Sequence, residues 1–225
     1  MGLTYFITGA NRGIGLELAR QLSARGDTVI GTARNPEQAK DLNVVASRVI
    51  RLDVADRSSV VSAAADLGDT PIDALVNNAG SEPAKGPIGE LDLDAFEREI
   101  AIHALGPVRV TRALMPNLRA GSRKLIVTLS SELGSNEIAR GSLYYGYMMG
   151  KAGANMFTTT LGADLRSEGF TCLAIHPGWV STRMGGASAP VTPTESVETM
   201  IETLDKAGAE LSGSYVDRFG EGMPY

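Results

Sequence analysis

The sequence predicts an α/β fold: one doubly wound domain, residues 1–225, built on a mostly parallel sheet of seven strands. Three observations carry this. Short apolar runs rich in β-branched residues recur from end to end. Stretches with a helical period separate them. A glycine-rich turn, "TGANRGIG" at 8–15, joins the first run to the first helical stretch.

The elements follow in order. "LTYFIT" (3–8) reads as a buried strand, and "IGLELARQLSAR" sets Ile14, Leu18, Ala19 and Leu22 on one helix face. "TVIGTA" (28–33) and "RVIRLD" (48–53) are the next two strands. "SSVVSAAADL" follows Asp56, whose carboxylate suits a helix cap. "DALVNN" (73–78) is a fourth strand. "DLDAFEREIAIHALGPVRVTRALMPNL" is periodic throughout and predicts one long helix, kinked at Gly106-Pro107. "KLIVTLS" (124–130) returns to a strand, and "GYMMGKAGANMFTTTLGADLRSEG" to a helix ended by Gly169. "TCLAIH" (171–176) is the sixth strand; "STRMGGASAPVTP" (181–193) is then a mobile loop at a strand end, where such sheets bind ligands. A helix begins near Thr194, and "SGSYVDRF" supplies the last strand. No repeat, low-complexity segment or linker interrupts this alternation, so the expectation is a single Rossmann-type domain.

Composition narrows the classes. Hydrophobic residues make up 43% and charged residues 21%, ordinary for a globular chain. The formal charge of −5 leaves no basic footprint, so neither nucleic acid nor an anionic membrane is an expected partner. The one cysteine, Cys172, lies inside an apolar run; an intrachain disulfide is impossible and a buried thiol in a reducing, cytoplasmic setting is expected. No apolar run approaches the ~18 residues of a membrane span. The opening "MGLTYFITG" lacks a basic n-region, so no signal peptide is expected, and Phe6 breaks the myristoylation pattern that Gly2 would begin.

The loop after the first strand lets the backbone approach a pyrophosphate, and the helix that follows offers free N–H groups and the positive end of its dipole. Its Gly-x-x-x-Gly-x-Gly spacing, Gly9, Gly13 and Gly15, departs from the general dinucleotide fingerprint. "TGANRGIG" resembles the cofactor loop of the short-chain dehydrogenases/reductases. "NNAG" (77–80), "SS" (130–131), "YMMGK" (147–151) and "PGWVST" (177–182) resemble that family's further markers, in the same order and over essentially the whole chain. Within the family the chain is most similar to the small carbonyl-reductase branch that includes the sniffer and C-factor-like proteins.

Three tyrosines precede Lys151, and helix geometry separates them. Tyr147 stands four positions from Lys151, on the same face and one turn away. Tyr145 is six away and points elsewhere, while Tyr144 is seven away, about 10 Å along the axis. Tyr147 also matches the family's Tyr-x-x-x-Lys. A phenol ordinarily ionises near pH 10. A neighbouring ammonium favours the phenolate and readies it to give or take a proton. The resemblance makes Ser131 the hydroxyl that orients the substrate oxygen, with Ser130 as the alternative because strand alternation points only one into the cleft. Ser131 lies 16 positions before Tyr147, a longer gap than is usual in the family, and the extra stretch "GSNEIARGSLY" is expected to enlarge the pocket wall. His103, in "HALGP", stands where the family usually has asparagine. It either relays protons, since histidine titrates near neutrality, or is a packed imidazole. His176 receives no catalytic role.

Sites that prefer NAD place a carboxylate after the second strand. Here that place holds Ala33, followed by Arg34, and Arg12 lies in the glycine loop. Two guanidinium groups suit a 2′-phosphate, so NADP(H) is the expected cofactor. The resemblance adds Asn11 and Ile14 in the loop, Asp53 and Val54 against the adenine, and Asn78, Ala79 and Gly80 beside the ribose. It further implies that Pro177, Gly178, Val180 and Thr182 seat the nicotinamide, and that the chain is a homodimer. The expected activity is NADPH-dependent reduction of a ketone or aldehyde. The alternatives are a non-catalytic NADP-binding regulator and a 3-oxoacyl thioester reductase. Tyr144, Tyr145, Met148, Met149, Trp179 and Met184 are candidates to line an apolar pocket for a small-molecule carbonyl.

Overall fold

A computed structural model describes residues 2–139 and 141–225. Its centre is a seven-stranded sheet of order β3-β2-β1-β4-β5-β6-β7. The strands are β1 (Thr4–Ile7), β2 (Thr28–Ala33), β3 (Arg48–Arg51), β4 (Ala74–Asn77), β5 (Leu125–Leu129), β6 (Thr171–His176) and β7 (Ser214–Asp217). Every pairing among them is parallel, so the fold is the doubly wound Rossmann type. Because side chains alternate along a strand, each strand feeds two core layers. Tyr5, Ile7, Val76, Val127 and Ile175 fill the layer under one set of helices, and Phe6, Leu75, Ile126 and Cys172 fill the other.

The helices are α1 (Gly13–Ala24), α2 (Lys40–Val45), α3 (Arg57–Leu67), α4 (Leu93–His103), α5 (Leu105–Ala120), α6 (Tyr145–Asp164) and α7 (Pro193–Lys206). Asp56 caps α3, accepting the Ser58 N–H at 2.8 Å. Thr192 and Glu195 form a reciprocal capping box on α7. Gly169, at φ 80°, ends the turn after α6.

The long helix is broken earlier than the Gly106-Pro107 pair suggested. The break falls at Ala104, between α4 and α5, and Pro107 lies in the first turn of α5. Proline has no N–H for the carbonyl four residues before it and its ring crowds that carbonyl, so the helix parts at His103. The turn α2 has no sequence period long enough to announce it.

The chain runs outward through β1, β2 and β3, then crosses back so that β4 pairs with the other side of β1. This reversal makes a crevice beyond the carboxyl ends of β1 and β4, where open α/β sheets bind ligands.

Candidate active site

The glycine loop leaves β1 at Gly9, whose φ of +64° and close approach to Ala79 exclude a side chain. Asn78, just past β4, ties this loop down. Its amide donates to the carbonyls of Thr8 at 2.8 Å and Gly9 at 3.0 Å. In return the Thr8 hydroxyl oxygen accepts the N–H groups of Asn78 and Ala79, both at 3.0 Å. Gly15 is buried behind the loop, where an added Cβ would stand 2.4 Å from the Asn78 amide nitrogen. No acidic residue occupies the first turn of α1, and Arg12 precedes it without a side-chain cap.

A cleft of about 510 Å³ opens over this crevice. Gly9, Arg12, Gly13, Ile14, Asn78 and Gly80 form one flank; Pro177, Gly178, Val180 and Thr182 form the other. Ser131, Tyr147, Lys151 and His103 meet between them. Arg34 is exposed just past β2, while Asp53 and Val54 follow β3; with Asn11, Gly15 and Ala79 they are not part of the cleft wall.

Tyr147 and Lys151 project from successive turns of α6 and are only 8% and 6% exposed. The Lys151 ammonium lies 5.6 Å from the Tyr147 ring centroid and donates to the Leu129 carbonyl at the end of β5. Burial alone pushes the lysine down to about 8. Burial also raises the Tyr147 phenol, against the pull of the Ser131 hydroxyl, and the carboxylates of Glu132 and Glu99 add to the rise. The lysine was expected to lower the phenol; here desolvation is the larger effect. Ser130 is buried and donates its hydroxyl to Asn155, whereas the Ser131 oxygen accepts the Leu133 N–H at 3.2 Å on the Tyr147 side. The Tyr215 hydroxyl fixes this turn by donating to the Ser131 carbonyl at 2.8 Å.

His103, 2% exposed, ends α4 against α6. Its Nε2 is 3.2 Å from the Ser81 hydroxyl, and its Nδ1 has no partner among the described residues. Burial first and the Lys151 charge second hold it well below the usual histidine range, so the ring is neutral at pH 7. α4 reaches α6 this closely because Gly146 and Gly150 face it. An added Cβ at Gly150 would stand 2.7 Å from the His103 Cβ.

The short chain dehydrogenase family model matches residues 4–191. The chain belongs to this family of oxidoreductases. Among curated relatives, C-signal of Myxococcus xanthus is 38% identical over 155 residues, covering 69% of this chain and 93% of that protein. The 1-hydroxy-2-glutathionyl-2-methyl-3-butene dehydrogenase of a Rhodococcus species is 32% identical over 94% of this chain and 95% of its own length. Among solved structures, NADPH-bound carbonyl reductase from chicken fatty liver superposes with a TM-score of 0.92 at 29% identity, covering 100% of this chain and 99% of that one. Carbonyl reductase Sniffer of D. melanogaster gives 0.90 at 28% identity, with both chains fully covered. These two neighbours are consistent with the carbonyl-reductase branch of the short-chain dehydrogenases.

Within this short-chain dehydrogenase, the candidate pocket residues divide. Tyr144, Trp179 and Met184 line the cleft. Tyr145, Met148 and Met149 do not; they line a separate cavity of about 240 Å³ behind α6. The reason is helical: these three turn away from the face that carries Tyr147 and Lys151. The stretch 134–144, expected to widen the pocket wall, mostly covers that rear cavity through Gly134, Ser135, Asn136, Ala139 and Ser142. Arg140 in this stretch lies outside the described residues. At the cleft mouth Arg183 pairs with Glu82 at 2.7 Å, linking the loop after β6 to the segment after β4. His176 also borders the cleft, its Nδ1 accepting the Glu132 N–H at 3.3 Å.

Sequence reasoning missed Glu99, Asn155 and Ser81. Glu99 carried one signal: it lies one turn before His103 on the buried stripe of an otherwise charged helix, "FEREIAIH". Asn155 lies one turn beyond Lys151. Ser81 offered none, because its partner is 22 residues away.

Proposed function

We propose that this chain is an NADPH-dependent reductase that converts a ketone or aldehyde to an alcohol. The observation that carries the proposal is the convergence of a buried phenol, a buried amine and a serine hydroxyl, Tyr147, Lys151 and Ser131, on one cleft beside the glycine loop. The residues present fit the cofactor. Lys151 is a buried amine with no carboxylate partner among the described residues, and the uncapped start of α1 faces the cleft with Arg12 beside it. Arg12 and Arg34 would hold the 2′-phosphate, and Asp53 and Val54 the adenine. Asn78, Ala79 and Gly80 would border the ribose, while Val180 and Thr182 would seat the nicotinamide amide. When bound, NADPH supplies the hydride.

The protein's own work is to orient and protonate. Ser131 donates to the substrate carbonyl oxygen and sets it against Tyr147. Tyr147 gives its phenolic proton to that oxygen as negative charge develops there. Lys151, anchored on Leu129, stabilises the phenolate left behind. The raised phenol of this buried site keeps Tyr147 in its acid form before the step. His103 supports Tyr147 as a neutral imidazole. The expected homodimer would cover the exposed Leu105, Val108, Met149 and Met156 of α5 and α6.

The test is turnover of NADPH and NADH by the purified protein on a panel of ketones, aldehydes and 3-oxoacyl thioesters. Reduction of simple carbonyls with NADPH supports the proposal; activity confined to the thioesters moves the substrate class. Tight NADPH binding with no turnover on any of them supports the regulatory reading, which the relative named C-signal keeps in view.

A further inference from the structure

The catalytic helix α6 begins without a cap of its own. Tyr144, at the capping position, makes no side-chain hydrogen bond to the first turn, and that turn holds no acidic residue. Its positive end is nonetheless not left bare. Glu99, on the neighbouring α4, is 4% exposed and faces the start of α6. One carboxyl oxygen, Oε1, accepts the N–H of Ala84, in the segment 81–87 whose Glu82 and Pro83 border the cleft. The other, Oε2, has no hydrogen-bond partner among the described residues and points at Gly146, where an added Cβ would stand 2.4 Å from it. Burial raises the Glu99 carboxyl above the usual carboxylate range, and the N–H groups of Ala84 and Tyr147 oppose that rise, the latter without completing a bond.

A carboxylate at the start of a helix stabilises it through the dipole and the free N–H groups, and a buried one holds its neighbours in place. We infer that Glu99 is a positioning residue for the proton donor: from α4 it anchors both the first turn of α6, which carries Tyr147, and the cleft-wall segment 81–87, and it sets a negative charge within reach of the phenol. The inference rests on the reductase reading of Tyr147. Its chemical sense opposes that of Lys151. The ammonium favours the phenolate, while Glu99 favours the phenol, the form that protonates a substrate. The other charged or titratable groups facing this spot are His103 on α4, Tyr147 and Lys151 on α6, Glu82 and Lys85 on the segment 81–87, and Glu132 after β5.

Glu99→Gln keeps the volume and an acceptor for Ala84 and removes the charge; Glu99→Ala removes both anchors. Glu97→Gln, exposed on the same helix, is the control. The Tyr147 titration is read in the protein alone, as the ultraviolet phenolate absorbance of each variant minus that of the same variant carrying Tyr147→Phe. Glu99→Gln should move its midpoint to lower pH and move the alkaline limb of the turnover profile with it; Glu97→Gln should move neither. Glu99→Ala should lower kcat about ten- to a hundredfold, as expected for a misplaced donor, with the NADPH KM within about twofold. An unmoved Tyr147 midpoint in Glu99→Gln overturns the inference, even if the variant melts lower, because packing alone would not shift the titration. If Glu99→Ala does not fold, the Gln variant decides. If the wild type reduces no carbonyl, the reductase reading fails separately, and the titration still gives its answer on Glu99.

Discussion

The His103 imidazole meets the Tyr147 ring edge-on, with centroids 4.9 Å apart and planes at 75°. The two rings hold each other between α4 and α6. Because burial and Lys151 keep the imidazole neutral, His103→Asn should leave the turnover pH profile free of any lost limb near 6.5 and keep kcat within about tenfold, a small loss on the scale of general acid–base groups. His103→Ala should lower the melting temperature, by about 2–4 kcal/mol of stability for a large-to-small change in a core. The folded-state pKa lies below the unfolded one, so the wild type binds fewer protons folded and loses stability as pH falls below about 6.5. His103→Asn should remove the His103 share of that loss and leave the share of His176, whose pKa burial also lowers. A large fall in turnover of His103→Ala at an unchanged melting temperature would instead make the imidazole a proton relay.

Tyr147→Phe removes one buried oxygen and should leave the melting temperature and NADPH affinity nearly intact. Turnover should fall by about 10²–10⁴, the usual loss for a general acid. Tyr145→Phe, on the far side of α6, should retain most activity. Equal kinetics in the two variants would refute the helix-face assignment.

Arg34→Ala should weaken NADPH by about ten- to a hundredfold, the range of a charge-assisted hydrogen bond, and spare NADH. Binding titrations with both cofactors give the answer. A wild type that prefers NADH, or equal losses for both, would contradict the 2′-phosphate assignment.

Lys151 provides a test of stability against pH. Its folded pKa of about 8 lies below the ordinary 10.5, so in that window the unfolded chain holds more protons. Stability contributed by this group therefore rises with pH from about 8 to 10.5, and at neutrality the buried charge costs about 3 kcal/mol. The difference between the melting curves of wild type and Lys151→Met should carry this slope. Cys172, pushed up to about 12 by burial, bends both curves downward at high pH and cancels in the difference. A flat difference curve would show that the amine is not desolvated.

What the sequence disclosed was local or periodic. The strands, the glycine loop, the cap at Asp56 and the pairing of Tyr147 with Lys151 all depend on neighbours a few positions apart. The helix break falls at Ala104, ahead of the expected Gly106-Pro107, because the effect of Pro107 falls on the carbonyl behind it. Met148 and Met149 looked like pocket residues by type, while the turn of α6 sent them to its rear. Glu99 and Asn155 stayed hidden because their partners are Ala84 and Ser130, contacts made by tertiary packing.

The amide of Asn78 also bears on how the molecule assembles. The glycine loop owes its shape to a side chain 70 residues further along the chain. A fragment ending before β4 would carry the whole glycine motif and still not cradle a nucleotide. Contacts at such separation close late, after the entropy of the intervening loop has been spent. During refolding, helical content should therefore return before the ability to retain NADPH, and cofactor retention becomes a clock for the docking of β4 onto β1.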